Sequence, residues 1–377
     1  MVTVREVQSS RDIKEFIELP LRMYKDCPWF VPPLYSDEKK LLKSGGNTED
    51  ADALFLLAER DGKTVGRLQA LIQKQYNVKH NSAQMRFNRF DCLDDPEIAS
   101  ALFKAAEKWG KDRGMNEICG PLGYSDLDRE GLLIEGFEEN STFEEQYNYP
   151  YYAGLLEGLG FAKDADWVEY ELKKPEQRNE MLSRVAKRSL EINKLHVASH
   201  DMPKKQYINK YRDGFFACLD ECYRELYGTV PLSKEAQDEL IDQFMLIINK
   251  KYVVFICDEQ EKVVGFGICF PGFGDAVKKS GGRLTPAALF RILKVVNKPK
   301  TIDLGLVAIS PEYQRAGLNA VILDGLLDIL DEGEVISCET NLNLENNTAV
   351  QAQWKYFSAR QHKRRRSYIK KIGDQTC

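Results

Sequence analysis

The chain has 377 residues, too many for one ordinary hydrophobic core and comfortable as two domains. It is 43% hydrophobic and 29% charged with a formal net charge of −5, so no global field draws it to nucleic acid or to a membrane, and neither is expected as a partner. No apolar run approaches the length of a membrane span and no basic start precedes an apolar stretch, so a cytoplasmic protein without a signal peptide is expected.

The first half opens with a strand, "VTVREV", and a helix over "SRDIKEFIELPLRMYK" with Ser10 as its N-cap. "ALFLLAERDGKTVGRLQALIQ" reads as two strands about the Asp61-Gly62 turn. A strand "AQMRFNRFD", a helix "DPEIASALFKAAEKWGKDRG" closed by Gly114, a strand "MNEICGPLG", a helix "YYAGLLEGLGF" and a strand "DWVEYELK" follow. Residues 175–195, charged but periodically apolar, read as a linker helix.

The second half runs in the same order. "LHVASHD" reads as a strand, 203–227 and 233–249 as helices, and "YVVFICDEQEKVVGFGICF" as a hairpin. The strand "IDLGLVAI", a helix over about 315–332, the strand "EVISCET", the helix "NTAVQAQWKYFSA" and the strand "RSYIKKI" complete it. Both hairpins carry K-x-V-G, at Lys63–Gly66 and Lys262–Gly265. The division is 1–174, a linker at 175–195, and 196–377, each half α/β or α+β around a mixed sheet. The nine cysteines include no C-x-x-C. With four histidines, none near the Cys218/Cys222 pair, they read as reduced, mostly buried thiols and no metal is expected. The basic run "HKRRRSYIKK" reads as a solvated strand edge.

One junction stands out for chemistry. After "IDLGLVAI", the stretch "SPEYQRAGLNA" passes through proline and one glycine into an amphipathic helix. A helix N-terminus presents unpaired N–H groups and a partial positive charge to an anion. Here Gln314, Arg315, Ala316, Gly317, Leu318, Asn319 and Ala320 would supply them to a pyrophosphate, with Gly317 allowing close approach and Arg315 adding a cation.

The element order and this stretch together resemble the GNAT superfamily of N-acetyltransferases. That family's acyl-CoA signature is Gln or Arg, two residues, Gly, one residue, then Gly or Ala, after a strand that ends in an apolar residue and proline. Ile309, Pro311, Gln314 and Gly317 match it; Asn319 holds the last position, where asparagine tolerates φ > 0 better than other non-glycine residues. The resemblance implies two tandem GNAT-like folds, each a mixed central sheet flanked by helices. It implies acetyl-CoA or another acyl-CoA as co-substrate, no metal, and a strand edge from Val307 to Ile309 that pairs with the pantetheine amides. In the family an Asn opens the last long helix, here Asn347, and a tyrosine further on often protonates the departing thiolate. That position falls on Trp354, whose indole does not ionise in the useful range and which would line the CoA or acyl channel or pack the core. Some members place a carboxylate eleven residues before the signature Gln; here it is Asp303, with Glu339 on the next strand as second candidate for the general base.

The corresponding place in the first half, "FDCLDDPEIASALF", has no Gly, Gln or Arg and three aspartates, which would repel CoA phosphates. Only the C-terminal copy is therefore expected to bind acyl-CoA, although "NYPYYAGLLEGLGF" keeps the family's last-helix pattern. The long segment from Gly120 to Tyr152 offers Tyr124, Asp126, Glu135, Asn148 and Tyr151 as a polar pocket for an amine acceptor. Residues 271–300, with Leu289, Ile292 and Leu293 at helical spacing, form an insertion that would cover the thioester end of the groove. The expected activity is N-acyl transfer from acyl-CoA to a small amine or amino-acid-like acceptor by direct attack, in a monomer or homodimer. A non-catalytic acyl-CoA-binding sensor and a tRNA-dependent aminoacyl transferase, the latter resting on the basic run, are the other readings.

Overall fold

The computed structural model describes residues Met1–Gly373; Cys377 lies outside them. In chain order the first half contains β1 (Thr3–Glu6), α1 (Ser10–Met23), α2 (Tyr35–Lys43), β2 (Ala51–Arg60), β3 (Lys63–Gln73), α3 (Lys74–His80), β4 (Gln84–Cys92), α4 (Pro96–Lys111), β5 (Glu117–Gly120), β6 (Leu132–Glu135), α5 (Tyr151–Gly158) and β7 (Ala162–Lys173). The second contains α6 (Glu180–Asn193), β8 (His196–Val197), α7 (Lys204–Tyr223), α8 (Lys234–Phe244), β9 (Val253–Cys257), β10 (Val263–Pro271), α9 (Gly274–Lys278), α10 (Pro286–Asn297), β11 (Thr301–Ile309), α11 (Asn319–Asp331), β12 (Ser337–Thr340), β13 (Asn343–Leu344), α12 (Thr348–Gln351) and β14 (Ser358–Lys371).

These elements form two compact units: Met1–Val168 with Gly274–Leu289 and the chain from Lys363 onward, and Glu169–Phe273 with Phe290–His362. The units therefore interleave along the chain rather than dividing at a single point. In the first, the sheet runs β1-β2-β3-β4-β5 and continues into β14, whose Tyr368 faces Gly120. In the second it runs β7-β12-β11-β10-β9-β8, with Leu172 of β7 opposite Cys338. Each sheet thus takes its strand beyond the parallel crossover from the other half of the sequence. Periodicity identifies a strand but not the sheet edge it joins, so the sequence reading keeps both strands in their own halves.

The first unit's core lies between the sheet and helices α4 and α5, around Phe87, Phe103, Leu102 and Tyr152. The apolar i, i+3, i+4 pattern of "IASALFKAAEKW" fixes that helix, and Asp95 caps it by accepting from Glu97 N–H at 2.8 Å. The second unit's core lies under α11, whose Val321, Ile322, Leu326 and Leu330 meet Ile302, Leu304 and Val264 of the sheet. Helix α6 packs on the same cluster through Leu182 and Ala186, and Arg178 just before it pairs with Asp324 at 2.6 Å.

Several elements differ from the sequence reading. Ser9, not Ser10, caps α1, and Asp12 completes a capping box by accepting from Ser9 N–H. The strand predicted over "LHVASHD" shrinks to His196–Val197, and the last helix to Thr348–Gln351 followed by a tighter turn over Ala352–Tyr356. The basic run is no solvated edge: Lys363 and Arg365 are fully buried on Glu145, and Arg366 grips Asp166 at 2.7 and 3.0 Å. Buried cations need buried carboxylates, and those partners lie roughly 200 residues away in sequence, where no local pattern announces them.

Candidate active site

The anion-binding reading of "SPEYQRAGLNA" begins with the turn. Beyond β11, Pro311–Tyr313 form one tight turn, and Ala316 N–H donates to Tyr313 O at 2.9 Å. Gly317 then takes φ +79°, a left-handed conformation that a residue with Cβ adopts at a cost, and α11 starts at Asn319. Asn319 is the first residue of α11 and is not among those with positive φ, so its tolerance of left-handed backbone is not called upon. No side chain caps α11, whose N-cap is Leu318, while Gln314 and Arg315 are exposed. The turn is held from behind by Ser189 of α6, whose hydroxyl donates to Ala316 O at 2.6 Å, and Val185 of α6 packs against Gly317. This leaves an uncapped, glycine-preceded helix N-terminus, the arrangement that suits a phosphate.

Beside the turn, two parallel strands stop pairing. β11 and β12 are in register from Thr301 opposite Ser337 to Leu304 opposite Thr340; Asn341 then reaches β11 once more, its N–H donating to Leu304 O at 3.2 Å and its side-chain amide to Gly305 O at 3.4 Å, and among the described residues no strand pairs with β11 on that side from there to Ile309. A bulge sets Cys269 opposite Leu304 and Ile268 opposite Leu306, leaving Gly305 as the extra residue. A Cβ at Gly305 would lie 2.3 Å from the Phe270 ring, so glycine is required there. The bulge brings Leu304 and Val307 to the same face, where with Val254, Cys269, Leu326 and Trp354 they line a narrow apolar cleft. Trp354 is buried, and its indole N–H has no hydrogen-bond partner among the described residues.

The base candidates meet at the closed end of this divergence. Asp303 and Glu339 are register partners on adjacent parallel strands, so their side chains share a face of the sheet. Asp303 is buried, and Glu339 lies 2.7 Å from Nε2 of His362, a side chain only 2% exposed. The sequence reading missed His362, which sits in a basic run that reads as surface. It also missed Tyr223, at the end of α7, whose hydroxyl donates to Val307 O at 3.1 Å and accepts from Val307 N–H at 3.4 Å. The Val307 backbone groups expected to pair with pantetheine are thus engaged by a phenol, and Ile309 is buried in the core under α11. Asn347 caps α12, accepting from Val350 N–H at 3.3 Å.

The proposed acceptor residues are mostly committed to the first unit's backbone. Tyr124 donates to Gly46 O at 2.7 Å, Asn148 brackets Leu133 N–H and O at 2.7 and 3.0 Å, and Tyr151 donates to Cys92 O at 2.7 Å. Glu135 is exposed and lies 3.4 Å from Arg364. Asp126 is partly buried, and burial pushes its carboxyl up to about 6.

The equivalent place in the first unit is closed twice over. Arg60 bridges Asp95 and Glu97 at the N-terminus of α4, at 2.7 and 2.9 Å. Beyond the last β4–β5 register pair, the chain itself fills the gap: Leu122 N–H donates to Phe87 O at 2.8 Å and the Asn88 amide to Arg129 O at 3.0 Å.

Among solved structures, a tandem GNAT protein from the clavulanic acid biosynthesis pathway matches all of this chain and all of its own with a TM-score of 0.56 at 13% identity. A GCN5-related N-acetyltransferase from Sphaerobacter thermophilus matches 99% of this chain and 96% of its own with a TM-score of 0.51 at 10% identity. The chain therefore has two GNAT folds in tandem, each a mixed sheet flanked by helices. No family model matches it. In sequence it is 26% identical over 384 residues to protein YghO of Escherichia coli (strain K12), covering 98% of this chain and 95% of that protein. It is 24% identical over 322 residues to a bacterial ceramide synthase of Caulobacter vibrioides (strain NA1000 / CB15N), covering 84% and 82% respectively.

Proposed function

We propose that the chain transfers an acyl group from acyl-CoA to the nitrogen of an amine acceptor. The observation that carries this reading is the uncapped N-terminus of α11 behind the Gly317 turn, set beside two strands that part next to a pair of carboxylates. The N–H groups of Arg315, Gly317, Leu318 and Asn319 hold the pyrophosphate, those of Gln314, Ala316 and Ala320 being spent within the turn, and the gap beyond Gly305 receives the pantetheine arm. The amine nitrogen bonds to the thioester carbonyl carbon and the carbon–sulfur bond breaks. Asp303 or Glu339 takes the amine proton, through water, and CoA leaves as the thiolate. His362 orients Glu339, and Tyr223 replaces the absent family tyrosine as the group that returns a proton to sulfur. The ceramide synthase relative supports an amine acceptor, a ceramide being an N-acylated amino alcohol.

The test is release of CoA thiol from acetyl-, octanoyl- and palmitoyl-CoA with a panel of amines and amino alcohols. Turnover lost in both Asp303→Asn and Glu339→Gln, with acyl-CoA binding kept, supports the assignment of base. Tight acyl-CoA binding without turnover across the panel would favour the sensor reading, which rests on Trp354 standing where the family carries its acid.

A further inference from the structure

We propose that the outer face of α10 docks on the surface of an anionic lipid bilayer, an inference independent of the acyl-transfer reading. Helix α10 lies in the insertion between β10 and β11. One face of its second half is buried through Ile292 and Val296. The opposite face is open: Phe290 is 72% exposed and Leu293 39% exposed, one turn apart, and Lys294, Lys298 and Lys300 are exposed beside or beyond them. An apolar pair at i, i+3 beside cations is the pattern of a helix lying in a membrane interface, rings at the acyl boundary and ammonium groups among phosphates.

Charge separates this face from an ordinary sticky patch. From Phe290 to Lys300, the part of this segment that belongs to the second unit, the sequence carries four lysines and arginines and no aspartate or glutamate, in a chain whose net charge is −5. The other helix with several exposed apolar residues, α6 with Met181, Val185 and Ile192, carries Glu180 and Glu191 among its cations. A protein interface chosen for apolar contact alone has no need to exclude every carboxylate from these 11 consecutive residues, whereas an anionic bilayer rejects each one. No helix among the described residues is long and apolar enough to cross a membrane, so the contact made is attachment in the plane of the surface. This departs from the expectation drawn from net charge, which averages the cationic segment away.

Flotation of the full-length protein with phosphatidylcholine vesicles, with and without phosphatidylglycerol, at low and high salt, tests it. Binding is expected only with phosphatidylglycerol, weakened by salt and by about fivefold for each cation removed from the face. The double variant Phe290→Ser/Leu293→Ser is expected to lose binding at unchanged charge, and Lys294→Glu/Lys298→Glu to lose it with the apolar pair intact. These side chains are exposed, so circular dichroism should match the unaltered protein. Absence of flotation with any vesicle, or equal flotation of Phe290→Ser/Leu293→Ser and the unaltered protein, would overturn the proposal. So would salt-sensitive retention of tRNA, or a concentration-dependent dimer, that these variants abolish while vesicles are not bound.

Discussion

Gly317→Ala separates backbone strain from ligand binding. Gly317 and Gly114 both take φ +79°, and alanine in that region costs about 1–2 kcal/mol. At Gly114, after α4 in the first unit, a Cβ meets nothing within 4 Å, so Gly114→Ala carries the conformational cost alone. At Gly317 a Cβ comes 3.3 Å from Val185 Cγ1, a contact a valine methyl relieves with a small shift. Gly114→Ala should therefore lower stability by that amount, read as a fall in the denaturation midpoint, whereas at Gly317 the free loop relaxes out of the left-handed region and most of the cost is spared until the ligand restores the turn. Only Gly317→Ala should weaken acyl-CoA, the same 1–2 kcal/mol then appearing as a Kd about 5- to 30-fold higher. Calorimetric titration of both variants decides. Gly317→Ala binding at full affinity with stability unchanged, or Gly114→Ala weakening binding equally, would refute the loop's role.

Other consequences follow from side chains around the two sheets. Trp354→Phe removes a buried donor that lacks a partner, worth about 1–3 kcal/mol, against a loss of apolar contact of comparable size, so thermal stability should change little; acyl-CoA affinity should fall about two- to tenfold if the indole N–H serves the ligand. Tyr223→Phe should lower kcat by about 10²-fold with acyl-CoA affinity kept, since a general acid acts on the reacting sulfur. Burial raises the Glu144 carboxyl to about 7, and its Oε1 is buried without a partner. The folded state then holds that proton more tightly than the unfolded chain between its ordinary value near 4.5 and about 7, so stability falls as pH rises through that window. Glu144→Gln should add about 1.5 kcal/mol above pH 7, half the full linkage value for a partly buried side chain, and nothing near pH 4; urea titrations at both pH values check it.

The fold was legible wherever local rules decide it. The Asp61-Gly62 hairpin has both turn residues at positive φ, as its sequence demands, and the glycine that ends α4 is left-handed. The Gly317 turn was legible for the same reason. What escaped was non-local. Residues Tyr368–Lys371 look like any strand, and nothing in them says that they pair with β5 some 250 residues earlier. Arg365 looks like surface until Glu145 is placed against it. His362 and Tyr223 carry no motif, and only the register that sets Glu339 beside Asp303 and the bulge that exposes Val307 give them a role. Tyr124, Asn148 and Tyr151 lie in a loop dense in polar aromatics, which suggests a pocket, yet such residues also pin a long loop through backbone bonds, and here they do.

The central claim is that one of the two folds is built to hold acyl-CoA and the other is closed. Calorimetric titration of the full chain with acyl-CoA, counting sites, tests it most directly. One acyl-CoA per chain is expected, abolished by Gly317→Glu in the second unit and untouched by Arg60→Ala, which loosens the N-terminus of α4 in the first. Two sites per chain, or binding that survives Gly317→Glu and is lost with Arg60→Ala, would contradict it.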